Sequence, residues 1–205
     1  MQGLLAKGGI VIYPLLICSV IAMAIIIERL YQFSKVDKQI SDELIKRIKA
    51  NIKEGKIEAA IKVAEESKGP ITKVLKRGIL HWNKRAEEIE NQMEEVKLME
   101  FPKLERYLGV LNFIGKITPS LGLLGTVTGM IKTFQILSMN GEAQQLAGGI
   151  SEALFTTATG LIISLPTLAA YYFFITKLEG IVNHSERREI ELINYIKEIG
   201  GDDEI

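Results

Sequence analysis

Three stretches of this chain carry almost no charge, and each is long enough to cross a bilayer. Ile10 to Ile27 is an unbroken apolar run containing one Pro, one Cys and one Ser. As a helix its 18 residues cover roughly 27 Å, close to the thickness of the hydrocarbon layer. Ala153 to Thr176 is longer and has no charged residue. Leu108 to Met139 is apolar apart from Lys116 and Lys132, which a helix places roughly 24 Å apart. Both ammonium groups then reach opposite interfaces by snorkelling. Three membrane spans are expected. No alternation of the β type competes with helical spacing anywhere, so the fold class is all-α: an integral membrane protein whose three transmembrane helices extend into a cytoplasmic helical bundle.

The first span ends in Glu28-Arg29-Leu30-Tyr31 rather than in small residues suited to cleavage, and is read as a retained anchor. Its Cys18 is the only cysteine, which excludes an internal disulfide or a cysteine metal cluster. His81 and His184 stand far apart in polar segments, so no metal or cofactor is expected. The 25 basic and 25 acidic residues balance, but their distribution does not. Seventeen Lys or Arg fall between Ser34 and Tyr107 and four more after Thr176, while Ile136 to Ala147 has none. The positive-inside rule then sets the N-terminus outside and both the middle segment and the tail in the cytoplasm. The expected order is a periplasmic segment (1–9), a first span (10–33), a cytoplasmic helical domain (34–107), a second span (108–135), a periplasmic loop (136–147), a third span (148–176) and a cytoplasmic C-terminal helix (177–205).

Within the charged segment, Ile40, Leu44, Ile45, Ile48 and Ile52 recur at helical spacing, and Ile57, Ala60, Ile61 and Ala64 resume it after Gly55. Gly69-Pro70 marks a turn, after which Ile71, Val74, Leu75, Ile79 and Trp82 continue the stripe. Ala86 to Glu100 is rich in helix formers, and the spacing lets this helix run into the second span with a kink at Pro102. Leu178, Ile181, Val182, Ile190, Ile193 and Ile196 make the tail an amphipathic continuation of the third span. The basic residues are offset by acids and lack interleaved aromatics or a phosphate loop, which argues against nucleic acid. No nucleophile–base, phosphate-loop or HExxH arrangement is present, so no enzyme is expected.

The last two spans hold the informative polar content. Thr118, Gly122, Gly125, Gly129 and Lys132 or Thr133 follow steps of three and four, and Gly125 to Gly129 is a GxxxG pattern. Thr157, Gly160, Ser164 and Thr167 form a matching stripe in the third span, with Thr156 beside it. One account is helix–helix packing, with hydroxyls bonded to their own backbone carbonyls. The other is a polar passage shared by two spans. Glu152 is the only carboxylate within these two spans. It either complements a helix N-terminus or attracts cations and relays protons. A threonine hydroxyl does not titrate at physiological pH, and Asp37, Asp42, Asp202 and Asp203 all fall outside the spans. Unless Glu152 serves, a proton device on this scaffold needs a titrating group from another subunit.

The strings Pro119-Ser-Leu-Gly-Leu-Leu-Gly-Thr-Val-Thr-Gly-Met-Ile and Gly149-Ile-Ser-Glu-Ala-Leu-Phe-Thr-Thr-Ala-Thr-Gly-Leu resemble the MotA/TolQ/ExbB proton-channel family. Three spans match its ExbB and TolQ branch, since flagellar MotA-type stators have four. The resemblance implies a homopentamer in the inner membrane around the single helices of a dimeric ExbD- or TolR-like partner, which brings the missing membrane aspartate. It implies a TonB- or TolA-like protein that receives the work, and contact with membrane lipids. Thr126, Thr157 and Glu152 match the family's proton-pathway positions, and Pro119 and Pro166 match prolines of the same motifs. Gly122, Gly125, Gly129, Thr156, Gly160 and Ser164 are expected to line the pore or pack helices. A flagellar or gliding stator and a passive membrane scaffold stand as alternatives.

Overall fold

The computed structural model describes residues 9–37, 42–67, 69–138 and 143–200. Lys7, Lys38, Ile40, Asp202, Asp203 and loop residues 139–142 lie outside them. The described elements are all helical: α1 (Ile12–Asp37), α2 (Asp42–Lys53), α3 (Ile57–Glu65), α4 (Pro70–Leu80), α5 (Ala86–Glu105), α6 (Leu108–Ser138) and α7 (Ala143–Gly200). Three helical stretches, in α1, in α5–α6 and in α7, are long and apolar enough to cross a membrane. The chain divides into two compact units, one from residues 1–29 and 107–174, the other from 30–106 and 175–205.

The first unit holds most of α1, all of α6 and the first half of α7. Val11 just before α1 is buried, and within α1 Ile12, Leu15, Ala22, Ile25 and Arg29 are buried at steps of three, four and seven, so one stripe meets the unit's interior. The outer surface is apolar as well. Val20 and Ile162 are each 70% exposed and Leu165 is 67% exposed, a face that water would disfavour and hydrocarbon covers at no cost. Small residues set the interior of α6 and α7: Gly115, Thr118, Gly122, Gly125 and Thr133 are buried on α6.

The second unit is built from short amphipathic helices. Gly55, at φ +72°, turns the chain between α2 and α3, a conformation that costs glycine nothing. Gly69 is the extended N-cap of α4 and Pro70 opens its first turn, where a missing N–H is harmless. Ile45, Ile48, Ile52, Val63, Ile71, Val74, Leu75, Ile79, Ile89 and Met93 form the core. Gly78 lets α4 approach α5, since a Cβ there would lie 2.6 Å from Met93 Sδ. The C-terminal part of α7 belongs to this unit, tied by Lys49–Glu191 at 2.5 Å and Lys97–Glu189 at 3.1 Å.

Three expectations change. Trp82 leaves the stripe, because α4 ends at Leu80 and Trp82 is 39% exposed in the following turn. The buried face of the tail runs through Ile181, Ser185, Glu189, Leu192 and Ile196, leaving Ile190 outside. Glu189 is tolerated there because Lys97 and the Ser185 hydroxyl, at 2.6 Å, satisfy its carboxylate. Finally, α5 does not run into α6. Pro102 sits inside α5, and the break falls at Arg106-Tyr107, where Tyr107 takes φ +66°. That left-handed conformation costs a side-chain-bearing residue roughly 1 kcal/mol. The buried Arg29 guanidinium lies 5.6 Å from the Tyr107 ring centroid and stacks against it, which offsets that cost.

Candidate functional site

Helices α6 and α7 form an antiparallel seam. A Cβ on Gly122 would lie 3.0 Å from Thr157 Cα, one on Gly129 would lie 2.9 Å from Ala153 Cβ, and one on Gly160 would lie 2.5 Å from the Thr118 carbonyl. Gly125 faces the Thr156 methyl and Gly149 faces the Thr133 hydroxyl in still tighter contact. As one residue number rises its partner falls, which fixes the antiparallel register. The small residues singled out by their spacing thus meet each other, and their lack of bulk lets the backbones touch.

The hydroxyls of this seam divide into two groups. Thr118, Thr133, Thr156 and Thr167 donate to the carbonyl four residues earlier in their own helices, at 3.0, 2.8, 3.1 and 2.7 Å. They are buried and spent on their own backbones, as the packing account expects. Thr126 and Thr157 differ. Their hydroxyls contact each other across the seam. Thr157 also donates to the Gly122 carbonyl at 2.9 Å, and Thr126 lies 3.3 Å from both the Gly122 and the Ala153 carbonyls. Both are only half-buried. Thr126 opens one end of a groove of about 590 Å³ lined by Val127, Met130, Ile131, Phe134, Gln135 and Ser138. Apart from the Thr126 and Ser138 hydroxyls and Gln135, that groove is apolar. Among the described residues no titratable side chain lines it.

Glu152 lies elsewhere. It is half-buried and lines a separate cavity of about 230 Å³ with Gly9, Ile10, Val11, Thr128, Lys132 and Thr156. The angle between Glu152 and Thr157 around α7 is about 140°, which accounts for the separation. Among the described residues no hydrogen bond or ion pair engages the Glu152 carboxylate, although Lys132 shares its cavity. Of the three residues expected on a proton route, two are therefore brought together and the third stands on the opposite face. Pro119 and Pro166 are placed within α6 and α7, half-buried and exposed respectively.

Sequence spacing alone passed over Gly115. Its carbonyl accepts the Ser164 hydroxyl at 2.6 Å, and a Cβ on it would lie 2.6 Å from Leu168 Cδ2. The signal was present, since Gly115 stands four residues before Pro119. Among the described residues, no group of three or more His, Cys, Asp or Glu side chains is arranged to hold a metal.

A family model described as the MotA/TolQ/ExbB proton channel family matches residues 66–187. The chain is 31% identical over 200 residues to the biopolymer transport protein exbB1 of Vibrio cholerae, covering 90% of this chain and 86% of that one. It is 25% identical over 193 residues to a protein of Methanothermobacter thermautotrophicus named as an ExbB homolog, covering 94% of this chain and 66% of that relative's length. Identity to the Tol-Pal system protein TolQ of Pseudomonas aeruginosa is 38% over 85 residues, covering 40% and 37% of the two chains. With its three apolar helices and this match across most of the chain, the protein is a multi-pass membrane protein belonging to the MotA/TolQ/ExbB proton channel family, in its ExbB/TolQ-like branch.

Proposed function

We propose that this chain is the proton-conducting subunit of an inner-membrane machine that couples the proton motive force to an envelope-spanning, TonB- or TolA-like protein. Five copies surround the single helices of a dimeric partner of the ExbD or TolR kind. The second unit and the tail lie in the cytoplasm, and the N-terminus lies outside. One observation carries the reading: Thr126 and Thr157 pair their hydroxyls across the seam and stay half-exposed, while the neighbouring hydroxyls are consumed by their own helices. The Thr126 hydroxyl opens onto a groove lined by no titratable side chain among the described residues, and either hydroxyl can exchange its present carbonyl partner for a carboxylate brought beside it.

The partner's aspartate supplies that carboxylate. Charged, it is held by polar groups such as this pair; protonated, it loses most of the cost of leaving them. Each elementary charge moved through 100 mV releases about 2.3 kcal/mol, enough to bias such a step. Glu152, beside Lys132 in its own cavity, serves as a cation-attracting group at the outer approach rather than as a member of the pair.

Thr126→Ala and Thr157→Ala test this directly. Each leaves the complex assembled, because the close glycine contacts at Gly129 and Gly160 remain, and each lowers proton flux in liposomes containing the partner by about tenfold or more. Flux at background for the unaltered complex would leave a packing scaffold as the correct description.

A further inference from the structure

Pro119 has no N–H, so the carbonyl four residues earlier, that of Gly115, loses its helical donor. In a membrane helix such a carbonyl has no water to turn to. Ser164 of α7 donates its hydroxyl to that carbonyl at 2.6 Å and is itself 2% exposed. Thr118 and Thr167 on the same seam bond to their own helices, whereas Ser164, like Thr157, crosses to a carbonyl of α6, and the carbonyl it takes is the one that Pro119 frees. Gly115 also faces Leu168, whose Cδ2 would lie 2.6 Å from a Cβ placed there. A methyl there would force the Leu168 side chain to shift beside the link.

The position of this link connects it to the hydroxyl pair. Pro119 precedes Thr126 by seven residues, and Ser164 follows Thr157 by seven. Because the helices are antiparallel, both steps run the same way along the seam, about 10 Å. We infer that Ser164 is a positioning residue: by holding the carbonyl that Pro119 frees, it locks the axial register of α6 against α7 and so keeps the Thr126 and Thr157 hydroxyls in contact. Its consequence for conduction rests on the proton-site reading above.

The test is a coupling cycle read at the pair. In the full chain carrying Cys18→Ser, Thr126→Cys and Thr157→Cys, the rate of oxidant-driven disulfide formation in native membranes reports the register. Ser164→Ala lowers that rate about fivefold or more, the scale set by a buried carbonyl left without a donor. With Pro119→Ala present, the peptide N–H at 119 returns to the Gly115 carbonyl, and Ser164→Ala then changes the rate less than about twofold. If Ser164→Ala alone prevents accumulation in the membrane, recovery of accumulation by Pro119→Ala makes the same point. An unchanged rate in the first case, or an equal fall in both backgrounds, overturns the inference. Cross-linking that follows the cycle while proton flux does not would keep the positioning role and remove the proton reading.

Discussion

At the scale of single residues, each glycine is governed by what a methyl group would meet. Gly125 faces the methyl of Thr156, whose hydroxyl is engaged with the Glu152 carbonyl and cannot swing aside freely. Gly125→Ala is therefore expected to overpack the seam and destabilise the first unit by about 1–3 kcal/mol. Gly180, in the interior of α7, has nothing within 4 Å of a Cβ. There the entropy argument dominates, and Gly180→Ala is expected to stabilise by about 0.5–1 kcal/mol. Thermal unfolding of the two variants in detergent separates the cases, and midpoints moving in the same direction would contradict the seam as described. The threonines follow similar logic. A hydroxyl buried in a seam is cheapest when bonded to its own helix, so the hydroxyls that reach across it, those of Thr126, Thr157 and Ser164, are the informative ones.

At the scale of helices, charge decides which contacts hold the second unit. Burial alone would lower the Lys97 pKa, but the hydrogen bonds its ammonium donates to Glu94 and Glu189 outweigh burial and hold it above its ordinary 10.5. The stability it contributes is present below that value and lost as pH rises through the raised folded value. Glu191 is held below the usual carboxylate range, first by its hydrogen bond to Lys49 and then by Arg188. Its contribution is present above about pH 4.5, the ordinary value, and is lost as pH falls through the lowered one. Lys97→Ala leaves Glu189 with Ser185 as its remaining partner among the bonds described, and should cost about 2 kcal/mol, the scale of a hydrogen bond to a charged group. It should also remove the alkaline limb while sparing the acid limb, as read by hydrogen exchange in α5 and the end of α7. A variant with both limbs unchanged would show that the pair is idle. This network also marks where reading the sequence stopped. Glu189 and Lys97 are 92 residues apart, so no local pattern reveals that a glutamate belongs on the buried stripe in place of Ile190. The break at Tyr107 was hidden for another reason, because glycine and asparagine signal a left-handed residue and tyrosine does not. By contrast, the seam was legible: its small residues recur at three- and four-residue steps that helical geometry converts directly into one face. The 140° between Glu152 and Thr157 was legible too, but motif matching grouped them by proximity in sequence instead of by direction around the helix.

At the scale of the whole molecule, two kinds of surface are divided between two units. One carries apolar faces suited to hydrocarbon, and the other carries most of the charge. On the proposed proton route the quantity that matters is orientation, since protons would meet the Thr126–Thr157 pair from the more acidic side. The proposed orientation, with the second unit in the cytoplasm, follows from the seventeen basic residues between Ser34 and Tyr107 and from Ile136 to Ala147, which has no basic residue to oppose translocation. Long segments weigh less in this rule than short flanks, but Lys35, just beyond the first span, points the same way. Labelling resolves the matter in a Cys18→Ser background. With Ser67→Cys, a membrane-impermeant maleimide should react in inside-out vesicles and not in right-side-out ones. With Gln144→Cys the pattern should reverse. The opposite outcome at both positions would place the Lys- and Arg-rich unit outside, and the proton motive force would then drive protons through the pair from the side of the second unit.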